Sequence, residues 1–127
     1  MKQAILFLLI FSISGAVEAA CDQNSGNSLE VVQCIQEDFE KYDKELNHTY
    51  QKLQKSLVPQ DESDATDYKE VKKRLTEAQN YWLRFIKSDC SGQFKLAEDG
   101  SGRDAVELNC LNLHTQQRIK ELSKWDE

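Results

Sequence analysis

From Val32 to Leu57 the apolar residues recur at steps of three and four: Val32, Ile35, Phe39, Tyr42, Leu46, Tyr50, Leu53 and Leu57. At 3.6 residues per turn this spacing lines them along one face of a helix about seven turns long. Asn27, with Glu30 three residues on, makes a capping-box pattern at its start, and Pro59 stops it. A second stripe of Tyr68, Val71, Leu75, Ala78, Trp82 and Phe85 predicts a helix over 64–89. The acidic stretch 61–67 before it lacks the central Gly and closing Glu spacing of a calcium loop, and negative charge there suits a helix N-terminus. Ser91–Gly102, interrupted by Gly92, Gly100 and Gly102, is expected to be a loop whose Phe94 and Leu96 form a lid over the bundle end or, as the second choice, an exposed contact site. A third helix should begin near Ser101, with Asp104 as a partial capping box, and carry Leu108, Leu111, Thr115, Arg118, Leu122 and Trp125 on one face. Alternating strand patterns are nearly absent. The expected fold class is therefore all-α, a small antiparallel three-helix bundle.

The N-terminal residues set the compartment. Lys2 precedes an apolar run from Ala4 to Ile13, about ten residues against the roughly 20 that span a bilayer. Ser12 to Gly15 breaks the run, and Val17-Glu18-Ala19 resembles a small-x-small cleavage pattern. Residues 1–19 are read as a cleaved signal peptide and 20–127 as one helical domain of a periplasmic or secreted bacterial protein. Cys21, next to the cut, also admits a lipoprotein, but Glu18 stands where such signals usually want Leu. The four cysteines, Cys21, Cys34, Cys90 and Cys110, form an even set without C-x-x-C spacing, so disulfides are expected in an exported chain rather than a zinc or redox motif. No metal site and no cofactor is expected. All four gather at one end of the bundle, which leaves three pairings geometrically open. Cys21–Cys34 with Cys90–Cys110 asks least of the chain, and each bridge is worth roughly 2–4 kcal/mol through loop-closure entropy.

The formal net charge is −6, and loss of residues 1–19 leaves it unchanged. Nucleic acid and anionic membrane are therefore excluded as expected partners, since both call for a basic patch. Catalysis has little to stand on: there is no G-x-S-x-G elbow, no H-E-x-x-H, and no free cysteine if all four pair. His48 and His114 lie beside the core stripes and are expected to face solvent. The informative polar residues fall elsewhere. Asp43, Asn47 and Tyr50 share a face of the first helix. Antiparallel pairing brings position 43 opposite 79, and a Cys90–Cys110 bridge brings 82 opposite 118. Asp43, Asn47, Gln79, Trp82, Thr115 and Arg118 should then converge at mid-bundle, Arg118 forking onto Asp43 and lying against the Trp82 indole. The first reading of this cluster is a structural network that sets helix register; the alternative is a ligand pocket built from the same groups.

Three patterns carry a resemblance. Asp43-x-x-Leu46-Asn47-x-x-Tyr50-x-x-Leu53, Leu75-x-x-Ala78-Gln79-x-x-Trp82-x-x-Phe85 followed by Cys90, and Cys110-x-x-x-x-Thr115-x-x-Arg118-x-x-x-Leu122 resemble, in order, the signatures of the lysozyme-inhibitor LprI-like (N-terminal domain) family. Cys21 and Cys34 fit that family's early cysteine pair. The resemblance covers nearly all of the chain behind the leader. It implies an exported helical domain that binds a protein partner, with a basic lysozyme as the expected one, without a cofactor or a stable membrane span. The family usually carries an Arg-Asp pair after the aromatic residue; here Ile86 and Lys87 stand there. On this reading Gln93, Phe94, Lys95 and Leu96, in the expected exposed loop, are the candidate partner-binding residues. A general periplasmic interaction, accessory or immunity module is the competing reading. The sequence sets no oligomeric state.

Overall fold

The computed structural model describes residue 21, residues 28–97 and residues 102–126. The expected signal peptide, Asn27 of the capping box and Ser101 lie outside the described residues. Three helices make up the rest: α1 Ser28–Ser56, α2 Tyr68–Leu96 and α3 Arg103–Ser123, followed by one 3-10 turn, Lys124–Asp126. Among the described residues there is no strand, and no helix is long and apolar enough to cross a membrane.

α1 stops before Pro59 because the residue preceding a proline is pushed out of the helical region. Its last turn is closed locally, with Leu57 N donating to the Leu53 carbonyl at 3.2 Å and Ser56 Oγ donating to the same carbonyl at 2.8 Å. The acidic connection is occupied by turn chemistry, not by the start of a helix. Asp61 Oδ1 accepts from the Ser63 amide and hydroxyl at 2.8 and 2.6 Å. Asp64 accepts from the Thr66 amide, the Gln60 amide and the Tyr68 hydroxyl at 3.0, 3.2 and 2.6 Å. Asp67 then caps α2, its Oδ1 accepting from Glu70 N at 3.1 Å. The expected start at residue 64 thus moves to Tyr68, because Asp64 and Asp67 satisfy backbone amides better from outside the helix than inside it.

The larger correction is at the other end of α2. The helix runs to Leu96, so Gln93, Phe94, Lys95 and Leu96 form its last turns and not a loop. Gly92 does not break it: a Cβ there would meet nothing within 4 Å, and one glycine costs only about 1 kcal/mol in a helix. The first residues of α3 fasten this extension, Arg103 lying 4.3 Å from the Phe94 ring centre and donating to the Phe94 carbonyl at 3.4 Å.

α3 is the central element. It lies against both α1 and α2, whereas direct contact between α1 and α2 is sparse. Cys90 bonds Cys110 and Gln79 meets Arg118, so α2 and α3 are antiparallel. The Asn112 amide donates to the Ile35 carbonyl at 3.2 Å, and Leu122 packs with Leu46 and Leu53, so α1 and α3 are parallel. Leu46, Leu53, Leu75 and Leu122 make a buried cluster flanked by Tyr50, Leu57, Trp82 and Ile119. The disulfides are Cys21–Cys34 and Cys90–Cys110, with Cα separations of 5.9 and 5.5 Å. One ties the chain ahead of α1 to that helix; the other clamps α2 to α3. The fold is the stapled three-helix bundle that periodicity and cysteine spacing predict.

Candidate partner-binding groove

Because α3 wedges between its neighbours, α1 and α2 touch near their connection and part beyond it. The Tyr50 hydroxyl marks the closed end. It accepts from Gln54 Nε2 at 2.7 Å and lies 3.2 Å from Thr76 Oγ1. The Thr76 hydroxyl proton is engaged by the Lys72 carbonyl at 3.0 Å, so Tyr50 donates to Thr76. Beyond this pair a groove of about 350 Å³ opens between the helices. Phe39, Asp43 and Leu46 form one wall, at i, i+4 and i+7 of α1. Trp82, Leu83, Ile86 and Lys87 form the other, and Glu107, Leu111 and Thr115, at successive turns of α3, form the floor.

The groove is apolar with charge along it. Thr115 spends its hydroxyl proton on the Leu111 carbonyl at 2.7 Å, a local bond that leaves the floor without a free donor there. Asp43 is exposed and, among the described residues, accepts only a long bond from Asn47, at 3.3 Å. Its carboxylate therefore keeps acceptor capacity for something outside the chain. Glu107 adds a second negative group and Lys87 one positive group. Such a volume lies at the small end of ligand pockets.

The expected convergence at mid-bundle splits in two. Arg118 reaches Gln79, as the register requires, with Nε donating to Oε1 at 3.0 Å. Its second partner is Glu121, at 3.2 Å from Nη1, and not Asp43. The reason is the wedge: α3 turns Arg118 toward α2, while Asp43 lines the groove, and Asn47, exposed one turn on, bonds to it from outside. Trp82 and Thr115 line the groove, and Tyr50 belongs to the closed end. Position 86 overturns one core assignment, since Ile86 is buried and Phe85 is 56% exposed. The drift of a 3.6-residue period carries the buried face from Trp82 to the residue four on. Glu107 and Leu83 were absent from the sequence reading. Glu107 was within reach of it, one turn ahead of Leu111 and two ahead of Thr115; Leu83 had no signal.

His114 is likewise not solvent-facing. Its Nε2 lies 2.8 Å from Asp89 Oδ2, and Phe85 meets its ring edge-on, centroids 5.3 Å apart. Gln93 Nε2 also donates to Asp89, at 3.2 Å, so two of the four residues expected in the loop, Gln93 and Phe94, are engaged within the protein. Leu96 stays 83% exposed.

A three-helix scaffold held by two disulfides, with a groove between two of its helices, defines the class: a small, disulfide-stapled helical domain. The family model described as Lysozyme inhibitor LprI matches residues 20–122. The chain belongs to that family, which is described by inhibition and not by a reaction. No curated protein and no solved structure matches the chain.

Proposed function

We propose that this protein is an exported envelope lysozyme inhibitor that takes a basic muramidase on the groove between α1 and α2, acting in the periplasm or outside the cell. The observation that carries the reading is the placement of family-motif residues Asp43, Leu46, Trp82 and Thr115 along one groove of a family member. The surrounding physics agrees. The chain is acidic, a basic lysozyme is its electrostatic complement, and the disulfides suit an oxidising compartment. A cationic side chain of the partner enters between Asp43 and Glu107, its aliphatic stem against Leu83 and Ile86. This surface replaces the 93–96 segment as the candidate contact.

A turnover assay of a basic lysozyme on cell-wall substrate at low salt tests the reading. The wild-type protein inhibits at micromolar concentration. Leu83→Asp, exposed on the groove wall, weakens inhibition tenfold or more, equivalent to about 1.4 kcal/mol, with unchanged helical circular dichroism. Absence of inhibition by the folded wild-type protein ends the proposal.

Ile86 and Lys87 favour a second reading. They stand in the groove wall where the resembled family usually carries Arg-Asp, so the same surface is suited to another protein partner of an accessory or immunity kind. Recovery of such a partner from envelope extract, lost with Leu83→Asp and accompanied by no lysozyme binding, would select this alternative.

A further inference from the structure

The Cys90–Cys110 bridge sits in a setting that a structural disulfide does not require. Cys110 and His114 are one turn apart on the same face of α3. Asp89 and Cys90 are neighbours on the facing turn of α2. One ligand atom from each of the four lies within 4.8 Å of all the others. Asp89 Oδ2 is 2.8 Å from His114 Nε2 and 3.7 Å from Cys110 Sγ. Two sulfurs, one imidazole nitrogen and one carboxylate oxygen are a donor set that zinc accepts. At bond lengths of about 2.0–2.3 Å, tetrahedral ligand atoms stand roughly 3.3–3.8 Å apart. The Asp89–Cys110 separation already falls there, the His114–Asp89 pair need widen by only about half an ångström, and the two bonded sulfurs must move apart once the bridge is broken. The sulfurs are buried, while Asp89 and His114 are 37% and 23% exposed, which gives an ion an approach from one side.

We propose that reduction of Cys90–Cys110 converts this cluster into a binding site for a borderline-soft divalent cation such as Zn2+. A dithiol passes two electrons and two protons to the S–S bond, breaking it into two thiols and leaving as its own cyclic disulfide. The cation then takes both sulfurs as thiolates, releasing their two protons to solvent, with neutral His114 through Nε2 and the Asp89 carboxylate completing the set. The ion replaces the covalent staple between α2 and α3. Thiolates held on the metal are also withdrawn from reoxidation, so the metal-held and disulfide-held forms exclude one another.

Cobalt tests this, because tetrahedral thiolate coordination gives it visible bands and a near-ultraviolet charge-transfer band. The purified protein is reduced with a phosphine, which takes the oxygen of water and competes less for the ion than a dithiol, and is then titrated with Co2+ and displaced with Zn2+. One equivalent binds to the reduced protein and none to the oxidised one, and Zn2+ raises the melting temperature of the reduced protein. A Cys21→Ser/Cys34→Ser double variant keeps the cobalt spectrum, and Cys90→Ser/Cys110→Ser abolishes it. His114→Ala, which leaves both thiols in place, weakens binding by more than the roughly 10–100-fold that an outer-shell change costs. Cobalt affinity unaffected by His114→Ala, loss of the spectrum with the Cys21/Cys34 variant, or binding only to a reduced chain that has lost its helical circular dichroism would each overturn the proposal.

Discussion

Arg118 shows how far one side chain's environment departs from its expected role. Its side chain is 11% exposed, its Glu121 partner is 44% exposed, and Nη2 is buried without a hydrogen-bond partner among the described residues. Breaking a pair with a buried Asp43 would cost several kcal/mol, but Asp43 is exposed and elsewhere. Arg118→Met keeps the volume, strands no buried carboxylate and removes an unpaired donor. Its stability should therefore fall within about 1 kcal/mol of wild type, read by chemical denaturation. Asp64 gives a pH prediction at the same scale. The Tyr68 hydroxyl, then the Thr66 side chain and backbone amide, hold its carboxyl well below the usual carboxylate range, and the same bond pushes the Tyr68 phenol up. A depressed carboxyl contributes stability above its unfolded pKa and loses it as pH falls through the folded value. A raised phenol contributes below its unfolded pKa and loses it as pH rises through the folded one. The connection before α2 should therefore loosen at both extremes. Tyr68→Phe should move the Asp64 carboxyl upward toward 3.8, followed by carboxyl NMR titration.

At the scale of the element, α2 is the helix whose limits propensity misjudged. Three glycines between 92 and 102 look like a loop, yet Gly92 sits exposed within the helix, and Gly102 stands ahead of α3. A glycine in that setting weakens a helix through chain entropy alone. Gly92→Ala should thus stabilise the protein by about 1 kcal/mol and raise its melting temperature by a few degrees, measured by thermal circular dichroism. Loss of stability would mean that the helix bends or opens there. α1 was legible almost throughout, because its stripe is long and strictly periodic and Pro59 ends it. α3 was the hardest to read. Its buried face carries Asn112 and Thr115 beside Cys110 and Leu122, so hydropathy alone understates it. Asn112 is buried because its amide reaches across to the Ile35 carbonyl, a contact between residues 77 positions apart in the chain that no local pattern can reveal.

For the whole molecule, charge and cross-links set the behaviour. If an acidic protein receives a basic enzyme on this groove, inhibition should weaken as the Debye length shrinks from roughly 30 Å at about 0.01 M salt to roughly 8 Å at about 0.15 M. The change should lie mainly in the association rate, measured by stopped flow or biosensor; salt-independent association would remove electrostatics from the proposed mechanism. Three helices, the preferred disulfide pairing and membership of the family were present in the sequence. Hydrophobic period, turn chemistry and cysteine spacing are local quantities, and each motif lies within one helix. The groove was not present there, nor the separation of Asp43 from Arg118, nor the meeting of His114 with Asp89. Those depend on α3 seating itself between α1 and α2 and prising them apart, a choice made by packing among distant side chains. The chain's own periodicity determines which faces are sticky; only the assembled bundle decides which of those faces meet and which are left open.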